Sequence, residues 1–200
     1  MKTIKQLAGV GLLSVAMLQS AWAQEPESCK MVRFAEIGWA DIAATTGVAM
    51  TLSEGLGYQT RKIMASVPIA FTGVQKGQID VFLGYWAPSM DAVIEPFTKD
   101  GGVKVLPKAN LEGAKYTLAV PTYAAEAGLK SFADIAKFKD QLGGKIFGIE
   151  PGNDGNLLID GMIKSNQFGL GEFKMVESSE AGMLVQLQRA VKKNEPAVFL

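Results

Sequence analysis

The chain has 200 residues; its 20 lysines and arginines balance 20 aspartates and glutamates, and mean hydropathy is +0.15. No basic excess or stripe stands out, which argues against a protein that binds nucleic acid or another polyanion. Histidine is absent, which removes the usual proton shuttle, the commonest metal ligand and every Ser-His or Cys-His nucleophile.

Residues 1–23 read as a signal peptide. Lys2 and Lys5 precede an apolar run over 7–18, and Ala21-Trp22-Ala23 is an A-x-A cleavage pattern. The run is shorter than the roughly 20 residues that cross a bilayer. Cleavage after Ala23 and export to the periplasm are therefore expected. Loss of the two lysines leaves 18 basic against 20 acidic residues, a net charge near −2. Cys29 is the single cysteine; in an exported protein it is either a free thiol or pairs with a cysteine outside this sequence.

Residues 31–37 predict a strand, rich in valine, phenylalanine and isoleucine. A helix follows over 41–56, with Ile42, Ala49, Leu52 and Leu56 at helical spacing and Gly55 and Gly57 at its end. A second strand is expected at 58–64, then a helix opened by Pro68 and stopped at Gly77. Residues 79–85 form an apolar run interrupted by Asp80, as in a strand buried on both faces. A helix near 90–97 and a strand at 103–106 complete the first half.

The second half reads as a strand at 115–121, a helix near 132–142, a strand at 145–149 and a helix over 156–165. A strand at 173–177 and a helix capped by Ser179 follow. Strands alternating with helices argue for an α/β fold with largely parallel sheets. The helix, Lys76 and 80–83 of the first half are echoed by a helix, Lys193 and 197–200, which suggests two similar α/β lobes. Residues 197–200 read as the middle of a strand, so the sequence is expected to be a C-terminally truncated fragment. An aromatic turn like that at Trp86 is expected just past Leu200.

The candidate site residues lie at strand ends. In open α/β sheets, ligands bind in the crevice beyond the carboxyl ends of the strands. Trp39 and Trp86 fall there, and Tyr116 begins the strand after the expected lobe crossing. Asp41 follows Trp39 at a helix entry, where it complements the helix dipole or serves as a fixed counter-charge. Aromatic faces beside a carboxylate suit a cation with hydrocarbon around its charge. A quaternary ammonium has no N–H to donate, and aromatic faces hold it at roughly 0.5–1 kcal/mol each when exposed and about 2 when dry. Asn153 reads as a helix N-cap or a ligand contact; Tyr85 and Tyr123 read as packing residues. Glu150 and Asp154 fit turn chemistry, and no nucleophile accompanies them. Asp80 and Asp91 have no metal-ligand company. No catalytic residue, metal or cofactor is expected.

With Gly38-Trp39-Ala40-Asp41-Ile42, Gly84-Tyr85-Trp86-Ala87-Pro88, Ala114-Lys115-Tyr116-Thr117 and residues 148–156 in place, the chain resembles the choline-binding branch of periplasmic substrate-binding proteins. These serve ABC importers for quaternary amines. The resemblance spans essentially the whole chain after residue 23. It implies a two-lobed, hinge-closing receptor of the Venus-flytrap, type II-like kind, with 24–114 in the first lobe and 115–200 in an incomplete second. Trp39, Trp86 and Tyr116 would be three walls of an aromatic box, with Asp41 and Asn153 meeting the choline hydroxyl. A fourth wall, a tryptophan, would fall past Leu200, as would a cysteine partner for Cys29. The implied partners are choline and an inner-membrane permease, with the receptor a monomer. Glycine betaine and carnitine are the nearest rival ligands, disfavoured because Asp41 would repel their carboxylates. A secreted hydrolase of quaternary-amine esters is a further rival, opposed by the lack of histidine.

Overall fold

The computed structural model describes residues 26–200; the signal peptide expected at 1–23 lies outside them. The first half is built on β1 (Met31–Glu36), α1 (Ala40–Gly55), β2 (Gln59–Met64) and α2 (Val67–Gln75), followed by α3 (Asp91–Thr98). Strands β1 and β2 pair in parallel from Met31↔Gln59 to Glu36↔Met64. On the other side of β1, Phe34 bridges Val81 in parallel. The first strand is therefore the centre of its sheet.

The second half repeats this plan. Short helices α4 (Thr122–Glu126), α5 (Phe132–Ile135) and α6 (Lys139–Leu142) lead into β3 (Lys145–Phe147), α7 (Asp154–Lys164), β4 (Lys174–Val176) and α8 (Glu180–Lys193). Strands β3 and β4 pair in parallel, and Phe147 bridges Phe199 on its other side. Again the first strand is central, flanked by the second and by the segment after the last helix. That segment also meets Ala119 in one antiparallel pair, with N–H···O distances of 2.8 and 3.0 Å.

Several expected elements are shorter in the structure. The run 79–85 is not a full strand but one bridge at Val81. Ahead of that bridge Asp80 interrupts the ladder: its carboxylate accepts the Arg33 backbone N–H at 2.7 Å and grips the Arg33 guanidinium at 2.7 and 2.8 Å. A ladder would have sent that amide to a strand carbonyl. Residues 103–106 pair with no strand and leave Val105 and Leu106 exposed. The expected strand at 115–121 is reduced to the bridge at Ala119. The helix expected near 132–142 is broken into α5, a 3-10 turn and α6.

The inward face of α1 also differs from the expectation. Ile42 and Thr46 are buried, whereas Leu52 and Leu56 are 64% and 78% exposed. At 3.6 residues per turn the line through Ile42 and Thr46 continues to Ala49 and Ser53, and Leu52 sits about 80° away from it. Leu56 lies past the last helical residue.

Two apolar clusters result. The first gathers Ile37, Trp39, Ile42, Phe71 and Met90 around β1. The second gathers Ile135, Ile146, Ile159, Leu170 and Val198 around β3. Ile149 and Met183, from the second half, are buried in the first cluster, and Leu200 packs on both. The two halves thus join through apolar contact at the carboxyl ends of their central strands.

Candidate functional site

In the first half, Glu36 ends β1 buried, its Oε1 accepting the Gly38 N–H at 3.2 Å and its Oε2 3.5 Å from the Lys62 ammonium. Gly38 then turns the chain with φ +96°, a conformation open to glycine and costly for a residue with a Cβ. Trp39 is the N-cap of α1 in an extended conformation, with no side-chain cap of its own. It is 5% exposed, and its indole N–H donates to Glu150 Oε2 at 2.9 Å. Asp41, in the first turn, is exposed. The amide at the head of the same helix, Ala40 N–H, donates to the Glu180 carboxylate at 3.3 and 3.4 Å. Trp86 follows the Val81 segment and lies against Tyr116, with ring centroids 5.7 Å apart and planes at 37°.

The second half presents a polar counterpart. Asn153, 1% exposed, is the N-cap of α7. Its Oδ1 accepts N–H bonds from Gly155 at 2.8 Å and Asn156 at 3.2 Å, and the Tyr116 hydroxyl at 2.9 Å. Asn156, equally buried, donates from Nδ2 to the carbonyls of Ile149 (2.9 Å) and Glu150 (3.2 Å) and to Glu177 Oε1 (3.0 Å). Gly155 is required by close approach: a Cβ there would collide with the Tyr116 hydroxyl end and with Leu200. Burial, then the negative charge of Asp154, push the Tyr116 phenol well above its ordinary range, so it remains a neutral donor.

Asp154 is 2% exposed, and neither carboxylate oxygen has a hydrogen-bond partner among the described residues. Glu150 is partly satisfied: Oε2 accepts from Trp39, while Oε1 is buried without a partner. Burial raises the Glu150 pKa, and the indole donation works against that rise.

All five residues singled out from the sequence line one cavity of about 270 Å³: Trp39, Asp41, Trp86, Tyr116 and Asn153. Met90, Ile149, Met183, Leu184, Phe199 and Leu200 supply apolar lining, and Asp154 and Glu180 add two carboxyl groups. Sequence reasoning missed these last two. Asp154 carried a weak signal, an acid directly after an asparagine at a strand-to-helix junction, but the same pattern is ordinary turn chemistry. The cavity combines aromatic faces with carboxylates, which suits a cation sheathed in hydrocarbon. No group of three or more His, Cys, Asp or Glu side chains able to hold a metal occurs among the described residues. Cys29 is exposed, and the chain offers it no second cysteine.

Residues 30–200 match the family described as the substrate binding domain of ABC-type glycine betaine transport systems. The chain belongs to that family. Among solved structures, an ABC-transporter choline-binding protein in complex with choline is 53% identical, with a TM-score of 0.83 over 88% of this chain and 60% of that one. Lactococcal OpuAC, closed and complexed with glycine betaine, is 26% identical with a TM-score of 0.74, over 84% of this chain and 63% of that one. A glycine betaine/L-proline-binding protein from Borrelia burgdorferi, 24% identical with a TM-score of 0.74, shares the fold. An uncharacterized protein, ORF1 of Chromohalobacter salexigens, is 51% identical over 139 residues, 70% of this chain and 87% of that protein. The chain thus spans 60–63% of the length of these three binding-protein structures; the fold is that of the two-lobed periplasmic binding proteins.

Proposed function

We propose that this member of the family binds choline in the cavity between its two sheets and presents it to an ABC permease after export directed by residues 1–23. The supporting observation is the convergence of Trp39, Trp86 and Tyr116 with the carboxylates of Asp41 and Asp154 on one cavity. Three dry aromatic faces give about 6 kcal/mol gross, part of which is lost to ordering the complex. Asp154 adds what the faces lack, a buried carboxyl group whose oxygens have no hydrogen-bond partner among the described residues.

The polar groups divide the remaining work. The Asn153 carbonyl oxygen already accepts three hydrogen bonds and its amide also acts on the Glu150 carboxylate, so what Asn153 can still offer a ligand hydroxyl is its remaining amide hydrogen. The exposed carboxylate of Asp41 accepts the hydroxyl proton. The two groups together read an alcohol, a donor and an acceptor in one atom.

The same charges decide against a zwitterion. A ligand carboxylate held about 4 Å from one fixed carboxylate meets roughly 4 kcal/mol of repulsion at an effective dielectric near 20. That cancels most of the aromatic gain, so glycine betaine and carnitine bind more weakly than choline.

Calorimetric titration with choline, acetylcholine, glycine betaine and carnitine tests the reading. Choline is expected to bind tightest. A preference for glycine betaine overturns the ligand assignment, and no heat with any of the four overturns the receptor reading itself.

A further inference from the structure

We infer that Glu150 is a positioning residue for ligand capture: from the turn after β3, its carboxylate sets the orientation of the Trp39 indole at the head of α1. The inference rests on the reading of the cavity as a quaternary-amine site. Trp39 and Glu150 are 111 residues apart in the chain, and the indole N–H reaches Glu150 Oε2 at 2.9 Å. Glu150 is not among the cavity-lining residues, so it acts on a ligand through the ring.

The Trp39 indole is the strongest of the hydrogen-bonding partners that act on this carboxylate, ahead of its own backbone amide and the Asn153 side chain. No cation pairs with it among the described residues. Its second oxygen is buried with no partner. An apolar side chain of similar size would fill the space without stranding that oxygen. Its backbone is also held in place, because Asn156 Nδ2 donates to both the Ile149 and Glu150 carbonyls. A fixed acceptor therefore stands at the edge of the ring.

An edge acceptor is what a cation–π wall needs. The indole N–H lies in the ring plane, so a bond to it stops rotation about the long axis of the side chain while leaving the faces open. Cation–π attraction requires the cation over a face; a ring turned edge-on loses it. A quaternary ammonium has no N–H with which to compete for Glu150. The bond also joins the segment after β1 to the segment after β3, so the ring is set only when both halves are in place.

Two substitutions separate this role from packing. Glu150→Leu keeps the bulk and removes the acceptor; Glu150→Gln keeps an acceptor oxygen. The expected result is a choline Kd raised at least tenfold in Glu150→Leu and within threefold of the unmutated chain in Glu150→Gln. A Leu variant within threefold, or a Gln variant as weak as Leu, overturns the inference. A ligand-free measurement stands beside these: the Trp39 indole proton of the unmutated chain, followed by NMR, is expected to exchange slowly with solvent. Rapid exchange overturns the positioning role whatever the variants do. If the unmutated chain binds no choline, the receptor reading fails, and indole-proton exchange compared between the unmutated chain and Glu150→Leu then decides whether Glu150 holds the ring: equal rates overturn the positioning role.

Discussion

The ends of β1 and β3 occupy the same place in two copies of one plan, and they use opposite chemistry there. After β1 the chain turns at Gly38 and caps α1 with Trp39, whose side chain makes no cap bond. After β3 it turns through Gly152, at φ +84°, and caps α7 with Asn153, whose oxygen satisfies two helix amides. Each helix opens with an acid, Asp41 exposed in one and Asp154 buried in the other. The first junction supplies a face and the second supplies a polar frame. The quaternary-amine site we propose needs both, and one repeated β–α turn provides them by exchanging the capping residue.

The largest effect expected from breaking this comparison is at Trp39. Trp39→Ala empties a buried aromatic position and should cost about 3–5 kcal/mol of unfolding free energy, read from the denaturant midpoint, besides removing a wall of the cavity. The matching change in the other half, Asn153→Ala, should cost about 1–3 kcal/mol. It leaves the Gly155 and Asn156 amides and the Tyr116 hydroxyl without their acceptor. A cost at Asn153 equal to that at Trp39 would mean that the polar frame carries as much of the fold as the apolar one.

Trp86→Ala sharpens the comparison from the binding side. It removes a wall but no core anchor, so choline affinity should fall about tenfold, roughly 1.4 kcal/mol, with a smaller stability loss than Trp39→Ala. Asp154→Asn should move the two readouts in opposite directions. Stability of the ligand-free chain should rise by about 1 kcal/mol as a buried carboxyl with no hydrogen-bond partner is removed, while choline binds more weakly. A loss in both would show that Asp154 is structural.

The smallest effect lies outside the cavity, in the Arg33–Asp80 pair that shortens the third strand of the first sheet. Arg33 hydrogen bonds hold the Asp80 carboxyl below its ordinary value of 3.8. Its contribution is therefore complete above that value and is lost as pH falls through the lower pKa of the folded state. The carboxylate is 35% exposed, so solvent screens it, and Asp80→Asn should remove less than about 1 kcal/mol at neutral pH. Unfolding midpoints at pH 7 and pH 2.5 should differ less in that variant than in the unmutated chain.

Much of this was legible in the residues. Glycine and proline punctuation put Trp39 and Trp86 at strand ends, and the alternation of apolar runs with helical spacing conveyed parallel α/β halves. Tyr116 was harder, because its expected strand survives as one bridge at Ala119. Asp154 was legible as a turn residue and nothing more; its burial without partners depends on Tyr116, Leu200 and α7 closing around it. The length of the third strand in the first sheet was also hidden, since an aspartate in an apolar run does not announce which backbone amide it will take.

Local chemistry sets what each junction can be: φ at Gly38, the aromatic cap at Trp39, the polar cap at Asn153. These depend on neighbours a few residues away, which the order of the residues states directly. The meeting of Trp39 with Glu150, and of Trp86 with Tyr116, depends instead on how two apolar clusters join through Ile149, Met183 and Leu200. Such contacts are chosen by packing among residues distant in the chain, so the cavity and the carboxylate that orients its indole became visible only in three dimensions.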